Sequence, residues 1–146
     1  MLVNVSASHG RDWFLSLKDH PERYRFATHD GIEFVQGDFG RVGARFKTRE
    51  KFHFLGLRLK LELLFELVAV GETSFRFRLL RHAWLDIWGE FSLQELSSGA
   101  ASLQLGIGSD AKLGQRWLKF GPVASAVSGQ ITQEVAHIKN SMESVA

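Results

Sequence analysis

The chain has 146 residues, 45% of them hydrophobic and 23% charged, with no cysteine, two prolines, twelve phenylalanines, four tryptophans and a single tyrosine. A chain of this size buries roughly two-thirds of the surface that its unfolded form exposes, so one domain spanning residues 1–146 can hold its own core without staples. The lack of cysteine excludes disulfides, thiolate zinc sites and a cysteine nucleophile. No apolar run approaches the about 20 residues of a membrane span, and Met1–Val5 lacks the basic start and apolar stretch of a signal peptide, so a soluble, cytoplasmic protein without stable membrane insertion is expected. The net charge of +2 does not call for nucleic acid, yet residues 41–60 carry seven of the eighteen cations against Glu50 alone.

Val3, Val5 and Ala7 alternate with polar residues as in a short strand with one buried face. A helix follows, with Ser8 as cap and Trp13, Phe14 and Leu17 at helical spacing, and Pro21 can open a second short one. His29-Asp30-Gly31 reads as a turn. Ile32–Gln36 and Ala44–Phe54 read as strands joined through a loop with Gly37, Gly40 and Gly43. From Leu57 to Ala69 every odd position is apolar while the even set includes Arg58, Lys60, Glu62 and Glu66. Such alternation lines one face of a strand, whereas at 100° per residue it would scatter the leucines around a helix. Thr73–Leu80 and the stretch around Leu85–Leu93 repeat the pattern, and a last strand with Leu103, Leu105 and Ile107 follows the Ser97-Ser98-Gly99 turn. The tail changes period. Val127, Ile131, Val135, Ile138, Met142 and Val145 form the stripe of a long amphipathic helix whose polar face holds Gln130, Gln133, Glu134, Lys139 and Glu143. Strand, helix, six strands and long helix, with turns too short for crossovers, predict an α+β fold in which the terminal helix covers the apolar face of an antiparallel sheet.

Several stretches resemble the START-like, helix-grip superfamily, the polyketide cyclase/dehydrase and lipid transport group: Val3-Asn4-Val5-Ser6-Ala7-Ser8 leading into a helix with Trp13, the Gly40-x-x-Gly43 turn, Gly89-Glu90-Phe91-x-Leu93, the Ala100-Ala101-Ser102-Leu103 strand and the closing helix. The resemblance implies a seven-stranded, curved antiparallel sheet gripping the C-terminal helix, with one or two short helices after the first strand. It also implies a pocket that in relatives holds apolar molecules such as lipids, hormones or polyketides.

Within that frame the aromatic residues Trp13, Phe46, Phe52, Phe75, Phe77, Phe91, Trp117 and Phe120 face inward, joined by Leu61 and Thr48 as candidate ligand contacts. Trp117 and Phe120 lie in the 114–121 segment entering the last helix, a place for a lid. Glu50 shares the phase of Phe46, Thr48 and Phe52. A carboxylate among phenylalanines would have a raised pKa and could serve as acid, base or ligand anchor, although the rarity of buried charge favours a bulge that turns it out among Arg49 and Lys51. Trp88, Leu64 and Val68 sit on the opposite phase and could form a patch for a second copy of the chain. The cations of residues 41–60 suit a solvated hairpin more than an anionic surface, and no nucleic-acid motif accompanies them. The six histidines, at 9, 20, 29, 53, 82 and 137, never take a local metal-binding spacing, and no phosphate loop or nucleophile elbow is present, so neither metal nor cofactor is expected.

The leading expectation is a binding or carrier protein for a small hydrophobic molecule. A cyclase or aromatase acting through Glu50 in the same pocket is the alternative, and a regulatory or stress-related interaction protein using the Trp88 face is the third. A Glu50 buried against His53, His82 or another polar group would favour catalysis.

Overall fold

The computed structural model describes residues 1–26, 29–97 and 99–145. Seven strands form one antiparallel sheet in the order β1-β7-β6-β5-β4-β3-β2. They are β1 (Leu2–Val3), β2 (His29–Gln36), β3 (Arg45–Phe54), β4 (Leu57–Val70), β5 (Ser74–Leu79), β6 (Ile87–Ser97) and β7 (Ala100–Ser109). Helix α1 (Ala7–Ser16) and a 3₁₀ turn (Pro21–Tyr24) separate β1 from β2, and a second such turn (Ala83–Leu85) precedes β6. Helices α2 (Lys112–Lys119) and α3 (Gly121–Ser144) close the chain.

The first strand is shorter than its alternation suggests. Val5 and Ala7 are buried, but the chain leaves the sheet at Asn4, and the cap of α1 is Ser6 rather than Ser8: the Ser6 hydroxyl accepts the His9 amide at 3.2 Å. His29-Asp30-Gly31 is likewise no turn. His29 and Phe26 exchange backbone hydrogen bonds of 2.9 and 3.0 Å, and β2 starts at His29 with a bulge between His29 and Gly31 that Gly31, at φ 138°, accommodates. Ser98, in the expected turn before β7, lies outside the described residues.

The core joins α1, the sheet and the far half of α3. Trp13, Phe14 and Leu17 pack against Phe75, Phe91, Leu93 and Leu103, with Ile138 and Met142 above. The Phe14 ring stacks on Phe75 and Phe91 at centroid distances of 4.2 and 4.8 Å. Each such ring contributes its buried area and roughly 1 kcal/mol more through favourable ring geometry. Trp13 also ties α1 to α3 by donating its indole N–H to Ser141 Oγ at 2.9 Å. This packing fills one end of the space between sheet and helix and leaves the other end to the site described below.

The cations of β3 are balanced across strands. Arg45 meets Glu66 at 2.8 Å, Lys47 meets Glu62 at 3.5 Å, Arg49 lies 3.6 Å from both Glu33 and Glu62, and Lys51 meets Asp30 at 3.0 Å. The run that looks basic in sequence is therefore one side of a set of ion pairs with the neighbouring strands. On the same face Trp88 is capped by the Arg76 guanidinium 4.3 Å from its ring centre and donates its N–H to Asp110.

Candidate functional site

Between the sheet and the N-terminal half of α3 lies a cavity of about 600 Å³. Its walls are phenylalanines and leucines of β3, β4 and β5, with Val123, Ala126 and Val127 of α3 opposite and Trp117 and Leu118 of α2 at one side. The cavity follows from the shape of α3: Val123, Ala126 and Val127, its first positions over the sheet, are small or β-branched, so the helix stands over the large side chains of the sheet without filling the space.

One part of the wall is polar. The inward face of β3 runs Phe46, Thr48, Glu50, Phe52 and Phe54, in phase throughout, because β3 pairs with β4 in unbroken register from Arg45↔Glu66 to Phe54↔Leu57. The bulge that could have turned Glu50 outward is in β2 instead. Glu50 therefore points inward, correcting the expectation that it joins Arg49 and Lys51 in solvent. Thr48 Oγ1 donates to Glu50 Oε1 at 3.1 Å, and His29 Nε2 lies 2.9 Å from the same oxygen.

His29 is fully buried and forms the hub of the cluster. Its Nδ1 lies 3.1 Å from Gln130 Nε2, and its Nε2 is 3.8 Å from Glu134 Oε1 as well as near Glu50. The two ring nitrogens thus face different partners, Nδ1 the Gln130 amide on α3 and Nε2 the two carboxyl groups. The imidazole is fixed by Phe26, stacked at 4.4 Å, and by Tyr24, edge-on at 5.0 Å. Behind Phe26 stands His137, stacked at 4.3 Å and bonded through Nε2 to the Arg23 carbonyl at 2.8 Å. Tyr24 donates its hydroxyl to Glu134 Oε1. Burial pushes the Glu134 carboxyl up to about 8, so it keeps its proton at neutral pH.

Of the residues expected to contact a ligand, Phe46, Thr48, Glu50, Phe52, Leu61, Phe77 and Trp117 line this cavity. Trp13, Phe75 and Phe91 belong to the packed core behind it, and Phe120 is exposed at the junction of α2 and α3. His53 is exposed and His82 stands at the rim, so the imidazole beside Glu50 is that of His29. Tyr24, His29, Gln130 and Glu134 are absent from the sequence-based set. The two α3 residues share the stripe Val123, Val127, Gln130, Glu134 and Ile138, spaced by three and four. Polar side chains inside that stripe were the available signal, obscured by the neighbouring apolar line through Ile131 and Val135.

No protein-family model and no curated protein matches the sequence. Solved structures do match over nearly the whole chain. A START superfamily protein from Mycobacterium smegmatis is 13% identical with a TM-score of 0.67, covering 100% of this chain and 95% of that one. A norcoclaurine synthase point mutant of Thalictrum flavum, in complex with a transition-state analogue, is 12% identical at a TM-score of 0.65 over 99% and 89%. The chain has the START-like helix-grip fold. Major latex-like protein 151 of Panax ginseng shares it, at 14% identity and a TM-score of 0.61 over 99% and 91%. Within the helix-grip fold, the cavity described above occupies the space between sheet and gripped helix.

Proposed function

We propose that this helix-grip protein binds a small, mainly apolar molecule in the cavity, with the molecule's one polar group set against Glu50 and Glu134. The observation that carries this reading is a cavity of about 600 Å³, walled by phenylalanine and leucine, whose buried polar groups gather at one place. Pockets for small ligands are commonly of this size and composition: apolar contact supplies affinity, and a few fixed polar groups supply orientation. The neutral probe N-phenyl-1-naphthylamine tests it. Saturable, one-to-one fluorescence enhancement is expected with the unaltered protein, and its loss is expected in Ala126→Trp, which places an indole where the cavity now is. A wild-type protein that shows no saturable response, or an Ala126→Trp variant that is folded and binds equally well, refutes the reading.

The cluster itself favours a second reading, acid–base catalysis. A carboxylic acid held protonated beside Tyr24 faces a second carboxyl group backed by an imidazole, and two carboxyl groups in such different environments can divide the roles of acid and base. Glu134 would donate to a carbonyl oxygen, while Glu50 would take a proton from the adjacent carbon, the first step of an aldol-type ring closure. Deuterium exchange at the α-carbon of 2-tetralone, followed by NMR, reads this step directly. It should be accelerated by the protein and lost in Glu50→Gln, with N-phenyl-1-naphthylamine binding retained.

A further inference from the structure

We infer that the open end of the cavity is a docking surface for an anionic lipid bilayer. Strand register brings three segments to that end. Phe54 pairs with Leu57 at the β3–β4 turn, Phe65 pairs with Leu79 so that residues 80–86 emerge beside it, and Ile87 pairs with Ser109 so that β7 delivers α2 to the same place. Phe54, Leu59, Arg81, His82, Trp117 and Leu118 all contribute to one cavity wall, so the three segments surround its mouth.

This rim is apolar where a surface in water would be polar. Of the fifteen large hydrophobic side chains exposed among the described residues, eight belong to these segments: Leu55, Leu57, Leu59 and Leu61 on the hairpin, Trp84 before β6, and Leu113, Trp117 and Phe120 at α2. Leu55, at the tip, is 70% exposed with φ at 50°, and Gly56 follows at 76°, a tight left-handed turn that holds the side chain outward. In α2, Gly114 and Leu118 face the protein. Leu113, Trp117 and Phe120 form an exposed stripe at i, i+4 and i+7, and Lys112, Arg116 and Lys119 form a cationic stripe at the same spacing beside it. An apolar stripe containing tryptophan, flanked by lysine and arginine, suits the boundary between lipid headgroups and acyl chains.

The charges fit one occupant. Arg58, Lys60, Arg81, Lys112, Arg116 and Lys119 are all exposed, and none joins an ion pair among the described residues, unlike Arg45, Lys47, Arg49 and Lys51 farther along β3. In residues 54–61, 80–86 and 112–120 the sole acid is Asp86, which is paired with Arg78 at 3.2 Å. A second copy docking by this face would set six cations against six others, whereas an anionic bilayer attracts them. Among the described residues no helix is long and apolar enough to cross a membrane, so the contact is peripheral and reversible. A mouth opened onto lipid would let an apolar molecule pass without crossing water, although the docking itself requires no ligand.

Co-sedimentation with vesicles tests the inference. The full chain should partition onto vesicles of phosphatidylcholine and phosphatidylglycerol in equal parts, much less onto phosphatidylcholine alone, and high salt should release it. Replacing Lys112, Arg116 and Lys119 by alanine should lower the partition coefficient by about fivefold for each cation, or about 100-fold together. Leu55→Asp with Leu57→Asp should abolish binding while the thermal melt stays intact, since both side chains are exposed. Lipids brominated on their acyl chains should quench Trp84 and Trp117 but spare Trp13, which is buried. Absence of binding to the mixed vesicles overturns the inference. So does binding that survives both sets of substitutions, or a concentration-dependent dimer lost in Leu55→Asp without vesicle binding.

Discussion

Glu134→Gln isolates the least ordinary group in the site. The substitution keeps volume, and the amide oxygen can still accept the Tyr24 hydroxyl, so what it removes is titration. In the folded protein the Glu134 carboxyl holds its proton up to a pH of about 8, against 4.5 when unfolded. Between these values the native state binds more protons than the unfolded state, so stability from this group is fully present below about 4.5, falls as pH rises, and is gone above about 8. One pH unit corresponds to about 1.4 kcal/mol, which makes the whole change roughly 4 to 5 kcal/mol, an upper bound because the cavity beside Glu134 can admit water. The groups facing Glu134 are Tyr24, His29 and, across the imidazole, Glu50. Urea unfolding of both chains at a series of pH values from 5 to 8.5 makes the comparison. The stability of the wild type minus that of Glu134→Gln should decline steadily across the range, leaving the variant the more stable at the alkaline end. A difference that does not change with pH would refute the assignment of a raised pKa to Glu134 and, with it, the acid role in the second functional reading.

Other substitutions separate core, helix packing and site. Gly114→Ala should destabilise the fold by about 1–3 kcal/mol and shift α2, because a Cβ there would meet the Leu85 carbonyl oxygen at 2.0 Å and Ser109 Oγ at 2.1 Å; thermal melts and the accessibility of Trp117 to acrylamide report both effects. Phe91→Ala empties a position stacked on Phe14 and should cost about 3–5 kcal/mol in urea unfolding while leaving N-phenyl-1-naphthylamine binding in the folded fraction unchanged, since Phe91 lies behind the cavity. Thr48→Val removes the 3.1 Å hydrogen bond to Glu50 at constant volume and should cost about 1–2 kcal/mol by the same assay.

The sheet was legible because its signal is local. Odd leucines in residues 57–69 can lie on one face only if the chain is extended, and the register with β3 then places Glu50 inward opposite Leu61. What remained hidden was contact between distant segments. His29 looks like part of a turn because Asp30 and Gly31 follow it; its role depends on Phe26 pairing with it and on α3 lying overhead. Gln130 and Glu134 read as solvent-facing since a carboxylate and an amide on a helix normally are, and only the partners Tyr24 and His29 make the inward position tolerable. Helix α2 is a similar case. It is short and carries its apolar side chains on an exposed stripe, so a pattern that assumes burial does not identify it as a helix packed on the protein.

A single strand carries the functional division of the molecule. Along the inward face of β3, Phe46 touches the aromatic packing around Phe39 and Phe77, Thr48 and Glu50 form the polar floor, and Phe52 and Phe54 lead out to the hairpin tip at Leu55. Because these positions are two residues apart in an unbroken register, a one-residue insertion in β3 would exchange this face with Lys47, Arg49 and Lys51. The cations on the opposite face, Arg45, Lys47 and Lys51, paired across strands with Glu66, Glu62 and Asp30, therefore bear on which register β3 can take. Exposed pairs of this kind are individually worth at most about 1 kcal/mol. Their part is to make the alternative register worse, since it would carry several cations into the cavity wall, and each would then need a buried partner or lose its charge.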